Sequence, residues 1–363
     1  MTYLDANATE PLRPAARDAM LAALALTGNP ASVHAAGRAA RRMLEAARET
    51  LAARFGGAPA GLVFCSGATE ANALALHALG DGRRLIRGAT EHDSIRSAEA
   101  GTLPVDGTGV ADLDALAQLL RDGEPALVCL MLANNETGTL QPIAEAASLC
   151  RRHGALLHVD AVQAAGRMAV SLRVLGAHSL ALSSHKLGGP MGAGALLLAP
   201  EVTAVRPLIR GGGQERGWRG GTPPLPAIAG FAAAAEAVGE AARLGPLRDA
   251  IERAAIAAGA AVCGSAAPRL ANTTCLALPG VRADAQVIAL DLAGIAVSAG
   301  AACSSGKVTA SHVLAAMGLG ALAGQAIRVS LPWNATEADS AAFADAYPRM
   351  ASQLRLALAS RAA

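Results

Sequence analysis

Lysine is almost absent from this chain: of 31 basic residues, only Lys186 and Lys307 are lysine and the other 29 are arginine. A plain positive charge at position 186 would be met by arginine, as it is nearly everywhere else. An amine that can lose its proton and condense with an aldehyde is different, because guanidinium stays charged and is a poor nucleophile. Lys186 lies in "LALSSHKLGGPMGAGALLL", following Ser183 and His185 at the end of a run that reads as a strand. In "LLHVDAVQAAG", Asp160 ends another such run, with Gln163 three residues on. A carboxylate at the end of an interior strand needs a partner, since an unpaired buried charge is costly or shifts its pKa. The expected partner is a cation. In "FCSGATEANALAL" an apolar strand ends in Ser66-Gly67 and a helical pattern opens at Ala68. Free amides at that helix start, with the Thr69 hydroxyl, suit a phosphate, although Ser and Thr cap helices everywhere.

A lone lysine, a buried carboxylate and a phosphate-ready helix start, all at strand ends, point to one cofactor. Pyridoxal 5'-phosphate needs a lysine for its aldehyde, an acid to keep its ring nitrogen protonated, and a phosphate cup.

Nine motifs in order carry a resemblance over almost the whole chain: "YLDANAT" from Tyr3, "GNPASVHAAG" from Gly28, "SGATEAN" from Ser66, "EH" at Glu91, "NNETG" from Asn134, "HVDAVQ" from His158, "SSHKLGGPMGAGAL" from Ser183, "GGGQERGWRGGT" from Gly211 and "VSAGAACSSG" from Val297. The chain resembles the cysteine desulfurases of the NifS/IscS group, class V aminotransferase relatives among the fold-type I pyridoxal-phosphate enzymes. The resemblance implies that Lys186 carries the cofactor, Asp160 pairs with its ring nitrogen and Gln163 with its phenolic oxygen. It implies that His92 stacks on the ring and assists proton transfer. The phosphate falls to Gly67, Ala68, Thr69, Ser183 and His185, joined by Thr222 from a second subunit, hence a homodimer. Asn135 and Arg328 orient the substrate carboxylate, and Cys303 is the nucleophile. The implied reaction converts L-cysteine to L-alanine and leaves a persulfide on Cys303 for a sulfur acceptor or scaffold protein, in iron–sulfur cluster assembly or tRNA thiolation.

Cys303 has support of its own. The other cysteines mostly sit in strand-like or helical segments, where Cys behaves as a small hydrophobe, whereas "SAGAACSSGK" holds only small or polar residues. A loop of that kind suits a thiolate that enters a site and then delivers sulfur outside it. Lys307 could favour the thiolate or be an idle loop lysine. His158 reads equally as a satisfied strand histidine, Asn134 as a turn former, and Ser32 and His34 as structural or site-lining. Two departures from the family pattern stand out: Pro223-Pro224 after Gly221-Thr222, and Pro332-Trp333 close beyond Arg328. The second bears on substrate-carboxylate geometry. Other readings are a selenocysteine lyase or another class V activity, a pyridoxal-phosphate-binding sulfur-assembly partner with little turnover, and, most remote, a non-enzymatic nucleotide-binding domain.

The elements that must position these residues follow from an alternating pattern. "GLVFC", "RRLIRGA", "ALVCLML", "ALLHVD" and "LALSS" read as strands, with helices over 68–79, 112–121 and 142–153, and another from about 227 to 243. This rhythm predicts an α/β fold, aspartate-aminotransferase-like, with a mainly parallel sheet and ligands at the carboxyl ends of its strands. A large cofactor-binding domain over residues 13–250 is expected. Residues 1–12 and 251–363 are expected to form a smaller α+β domain carrying the Cys303 loop. Hydrophobic residues make up 52% of the 363 but aromatics only 2%, so Ala, Val, Leu and Ile must fill the core. A net charge of +2 gives no electrostatic reason for a nucleic-acid or membrane partner. The apolar runs fall far short of a bilayer span. Six scattered cysteines without a CxxC pair argue against zinc or a disulfide framework, and no metal is proposed. With no leader pattern at the amino terminus, a cytoplasmic location is expected.

Overall fold

The computed structural model describes residues 1–239, 241–300 and 310–362, so Cys303 and Lys307 lie outside the described residues. Strand β1 (Thr2–Tyr3) is followed by helices α1 (Pro14–Leu24) and α2 (Ala35–Arg54). Strands and helices then alternate: β2 (Leu62–Cys65), α3 (Ala68–Leu79), β3 (Arg84–Gly88), α4 (Asp93–Arg96), β4 (Gly101–Leu103), α5 (Leu113–Leu119), β5 (Ala126–Met131), α6 (Ile143–Arg152), β6 (Leu156–Asp160), α7 (Leu172–Leu175), β7 (Ser179–Ser183) and β8 (Gly194–Leu198). Strands β2 to β8 form one seven-stranded sheet in the order β2-β8-β7-β6-β5-β3-β4. Neighbours from β4 to β7 are parallel, and β8 runs antiparallel to both β7 and β2. β5, β7 and β8 are buried at every residue, so both faces of the sheet are covered, and β5 accordingly reads as an unbroken apolar run.

Helix α8 (Leu225–Glu236) is apolar almost all round and packs on α1 and α2. It ends at Glu236, short of the Arg243 expected from its alanine content, where Val238-Gly239 offers poor helix formers. After α9 (Gly245–Ala257) come β9 (Ala261–Cys263), β10 (Thr273–Ala277), α10 (Ala283–Leu292), β11 (Ile295–Ala296), β12 (Ser298–Ala299), α11 (His312–Ala316), β13 (Ala326–Ser330) and α12 (Glu337–Ala362). The four strands β12-β13-β10-β9 form an antiparallel sheet, and β1 pairs with β11 in parallel.

Two apolar clusters correspond to these two parts. One gathers residues of the large sheet and its helices as far as Ala235, together with Leu270. The other joins Leu4 to residues between Leu244 and Ala351. Residue 250, the expected boundary, falls inside α9, whose buried Ile251 and Ala255 belong to the second cluster. The change of core therefore comes before α9. Among the described residues, no single helix is long and apolar enough to cross a membrane.

Candidate active site

Parallel strands bring their following loops to one edge of the sheet, and at that edge lies a cavity of about 430 Å³. Its wall includes Gly67, Ala68 and Thr69 from the start of α3, His92 before α4, and Asn135 after β5. Asp160 and Gln163 line it at the end of β6, Ser183, His185 and Lys186 at the end of β7, and Arg328 from β13. Segments remote in sequence thus converge on one cleft. Thr222 is not among these lining residues in its own chain. Cys303 lies outside the described residues.

The Lys186 amine donates to the backbone oxygens of Asn7 (2.6 Å) and Ala8 (2.8 Å). Asp160 is held by neutral partners of its own chain. Its Oδ2 accepts from Asn72 Nδ2 (2.8 Å) and its Oδ1 from the Val162 amide (3.0 Å). Asn72 Oδ1 in turn bonds His158 Nε2 (2.9 Å), and His158 Nδ1 bonds Ser179 Oγ (2.8 Å). Burial pushes the His158 pKa down to about 4, only partly offset by the Asp160 charge. The ring is therefore neutral at pH 7. It is the satisfied strand histidine of the sequence reading, and through Asn72 it also orients Asp160.

The start of α3 can take an anion. Its N-cap, Gly67, places no side chain on the first-turn amides, and a Cβ there would meet only open space. Gly194 on β8 packs directly on the Gly67 backbone, where a Cβ would come within 2.6 Å. A side chain at Gly194 would therefore displace the Gly67 backbone at the start of α3. Glu70, also in the first turn, is neutralised by Arg219 at 2.7 Å, so its carboxylate does not repel an anion. His185 bonds Thr9 Oγ1 (3.2 Å), and its pKa is lowered to about 4, first by burial and then by the charges of Lys186 and Arg167. His92 Nδ1 lies 2.9 Å from Ser94 Oγ and accepts from the Ser94 amide, capping α4.

Gln163 donates to the Asn7 carbonyl (3.1 Å) and accepts from Arg167, which is itself paired with buried Glu10 (3.3 Å). Arg328 is paired with Asp5 (2.7 Å) and donates to the Asn135 carbonyl (3.2 Å). Trp333, the departure beyond Arg328, turns to the amino-terminal segment: its ring nitrogen donates to the Pro11 carbonyl (2.8 Å) and Arg13 stacks over its face. Pro224 serves as N-cap of α8, a place where a missing amide proton costs little. Asn134 is the turn former, its Oδ1 accepting from the amides of Glu136 and Thr137. His34 caps α2 by accepting from the Gly37 amide, a structural role.

Three residues of the site escaped sequence reasoning. Asn72 and Asn7 lie inside "SGATEAN" and "YLDANAT" yet had no assigned role, and Asp5 opens the latter motif's polar part. The usable signal was a polar residue on an otherwise apolar helix face or strand end. Among the described residues, no group of three His, Cys, Asp or Glu side chains could hold a metal ion.

A mainly parallel sheet with its cleft at the strand ends, completed by an arginine from a smaller antiparallel sheet, defines an aminotransferase-like α/β enzyme. The chain belongs to the class-V aminotransferase family, whose model matches residues 2–343. It is similar to a cysteine desulfurase of Cereibacter sphaeroides, 41% identical with 97% of this chain and 96% of the relative covered. An IscS-like cysteine desulfurase of Mycobacterium tuberculosis is 37% identical, with 98% of each covered. The X-ray structure of a NifS-like protein from Rickettsia africae superposes with a TM-score of 0.89 at 32% identity, covering 96% of this chain and 99% of that one.

Proposed function

We propose that this protein is a pyridoxal-phosphate-dependent cysteine desulfurase that converts L-cysteine to L-alanine and passes sulfur onward from Cys303. The observation that carries this is the convergence of Lys186, Asp160 and the uncapped start of α3 in one cleft. The near-full-length likeness to cysteine desulfurases supports it. When bound, the cofactor supplies an electron sink for charge developing at the substrate Cα.

The chain supplies the rest. Lys186 anchors the cofactor and its amine takes the Cα proton, a transfer that arginine cannot perform. Asp160, held by Asn72 and the Val162 amide, sets a negative charge at the ring-nitrogen end. Gln163 holds the phenolic oxygen. The first-turn amides of α3, with Thr69, Ser183 and His185, hold the phosphate, and Thr222 joins them from a second subunit of a homodimer. His92 covers the ring and assists proton movement. Asn135 and Arg328 take the substrate carboxylate, Arg328 by its fork of donors. The Cys303 thiolate attacks the substrate sulfur, the S–Cβ bond breaks, and a persulfide remains on Cys303. The acceptor is a sulfur-carrier or scaffold protein, and the place of action is the cytoplasm.

The experiment is a comparison of two variants. Purified wild type incubated with L-cysteine and a thiol reductant should release alanine and sulfide, with reductant-labile sulfur on the Cys303 peptide beforehand. Lys186→Arg should lose covalent, borohydride-fixable cofactor. Cys303→Ser should keep it, respond spectrally to L-cysteine and yield almost no alanine. Wild-type turnover by either variant, or label on another cysteine, would overturn the reading.

A further inference from the structure

Two thiols face one another across the small sheet and have no part in the reaction proposed above. β9 lies at the edge of that sheet, and Cys263 stands directly opposite Cys275 of β10. Directly opposed residues of an antiparallel pair have Cα atoms about 4.5 or 5.5 Å apart and side chains on one face. Both separations fall within the roughly 4.4–6.8 Å at which a disulfide closes. The row continues across the sheet, Cys275 opposite Arg328 of β13 and Arg328 opposite Ser298 of β12. The thiol pair therefore shares a face with the arginine that lines the cleft. Val313, Leu314 and Met317, in and just after α11, pack over it.

The two sulfurs already interact. A hydrogen bond from Cys275 holds the Cys263 thiol below its ordinary pKa, while the same contact and burial push Cys275 well up. The other described cysteines stand apart, on β2, β5 and α6, and burial raises all three. Access is short. Cys263 is buried, but it ends a three-residue edge strand whose Ala261 is exposed and Val262 half-buried, and edge segments open locally more readily than central strands.

We propose that Cys263 and Cys275 form an oxidation site, which a peroxide closes into a cross-strand disulfide beside Arg328. The Cys263 sulfur attacks one peroxide oxygen; an S–O bond forms, the O–O bond breaks, and the departing hydroxide takes the thiol proton to become water. The Cys275 sulfur then attacks the resulting sulfenic sulfur; the S–S bond forms, the S–O bond breaks, and a second water leaves with the Cys275 proton. Two thiols are oxidised by two electrons and the peroxide is reduced to two waters. The site goes beyond the desulfurase reading and stands without it.

The test uses cofactor-loaded full-length protein carrying Cys303→Ser, which removes the thiol expected to be the nucleophile. After treatment with hydrogen peroxide, remaining thiols are alkylated in denaturant and the peptides are mapped. The expected product is a reductant-sensitive link between the Cys263 and Cys275 peptides, with Cys65, Cys129 and Cys150 still alkylated. Cys275→Val should stop at a sulfenic acid on Cys263. Since the link is mapped in protein with both thiols intact, poor folding of the valine variant leaves the main result standing. Over-oxidation of Cys263 without a link, a link to another cysteine, or both thiols unchanged while peroxide oxidises a control dithiol would each overturn the proposal.

Discussion

At the residue scale, Asn72 holds together more of the site than its neutral side chain suggests. Itself fully buried, it donates to Asp160 and to Ser94 Oγ and bonds His158. Asn72→Leu is close in volume but leaves a carboxylate oxygen and an imidazole nitrogen without this partner. Each unsatisfied buried group costs about 1–3 kcal/mol. The variant should therefore unfold at lower urea concentration and bind pyridoxal 5'-phosphate more weakly, with the cofactor dissociation constant as the readout. Unchanged cofactor affinity would mean that Asp160 does not depend on Asn72. His158 adds a pH dependence. Its folded pKa, about 4, lies below the ordinary value of about 6.5. A depressed histidine contributes stability that is complete above the unfolded pKa and is lost as pH falls through the folded one. The wild-type advantage over His158→Gln should then shrink by on the order of 3 kcal/mol between pH 7 and pH 4. Urea titrations of both proteins at a series of pH values measure it. The variant comparison is needed because buried Glu91 and Glu136, with raised pKa values, act in the opposite sense: their contribution is full in acid and fades as pH rises.

At the scale of elements, Glu136 meets both described ends of the chain that flank Cys303, bonding one and lying close against the other. Its Oε2 accepts from Ser311 Oγ at 2.6 Å, and the same oxygen lies 2.2 Å from where a Cβ on Gly300 would sit. Ser311 also caps α11 by accepting from the Leu314 amide, and His312 bonds the Glu91 carbonyl. Gly300→Ala should push the carboxylate away from Ser311, at about 1–3 kcal/mol for a buried acceptor losing its partner. Ser311→Ala should cost more, since it also removes the α11 cap, and the double variant little more than Ser311→Ala alone, because the glycine change acts through the same carboxylate. Fully additive costs in chemical denaturation would refute this coupling. None of it was legible in the sequence, since Glu136, Gly300 and Ser311 are joined by folding and not by spacing. The strands ending in Cys65, Asp160 and Ser183 were legible from their runs of apolar residues, although β6 also holds His158 and Asp160 and β7 begins and ends in serine. Helix α3 was found at its true bounds, 68–79, from its Gly start and periodic pattern. The expected helix to Arg243 failed because alanine content says nothing of where tertiary packing stops. Two-residue strands such as β12 carry no pattern that could be read.

At the scale of the whole molecule, the segment 211–222 is built for a fixed pose. Glu215 and Arg216 adopt left-handed backbone conformations, φ 48° and 59°, which non-glycine residues avoid unless the surroundings compel them. What compels them is a buried ion pair: Arg48 grips both oxygens of Glu215 at 2.7 and 2.8 Å, and the Phe64 amide donates to the same carboxylate. Arg219, farther along the segment, is tied to Glu70 in the first turn of α3. A rigid segment that ends at exposed Thr222, away from the cleft of its own chain, fits the proposal that Thr222 completes the phosphate site of a second copy. That proposal makes a prediction about mixed subunits. Lys186→Arg homodimers should be inactive, and Thr222→Ala homodimers should retain cofactor poorly and turn over slowly at low cofactor concentration. In a mixed dimer, one cleft receives both defects and the other receives neither, because its Lys186 and its partner's Thr222 are intact. Unfolding equal amounts of the two variants together and refolding them should restore about a quarter of the wild-type sites, the statistical share for random pairing in a twofold dimer. Refolding each variant alone should restore none beyond its own baseline. If activity in the mixture only averages the two parents, Thr222 serves its own chain or no site at all.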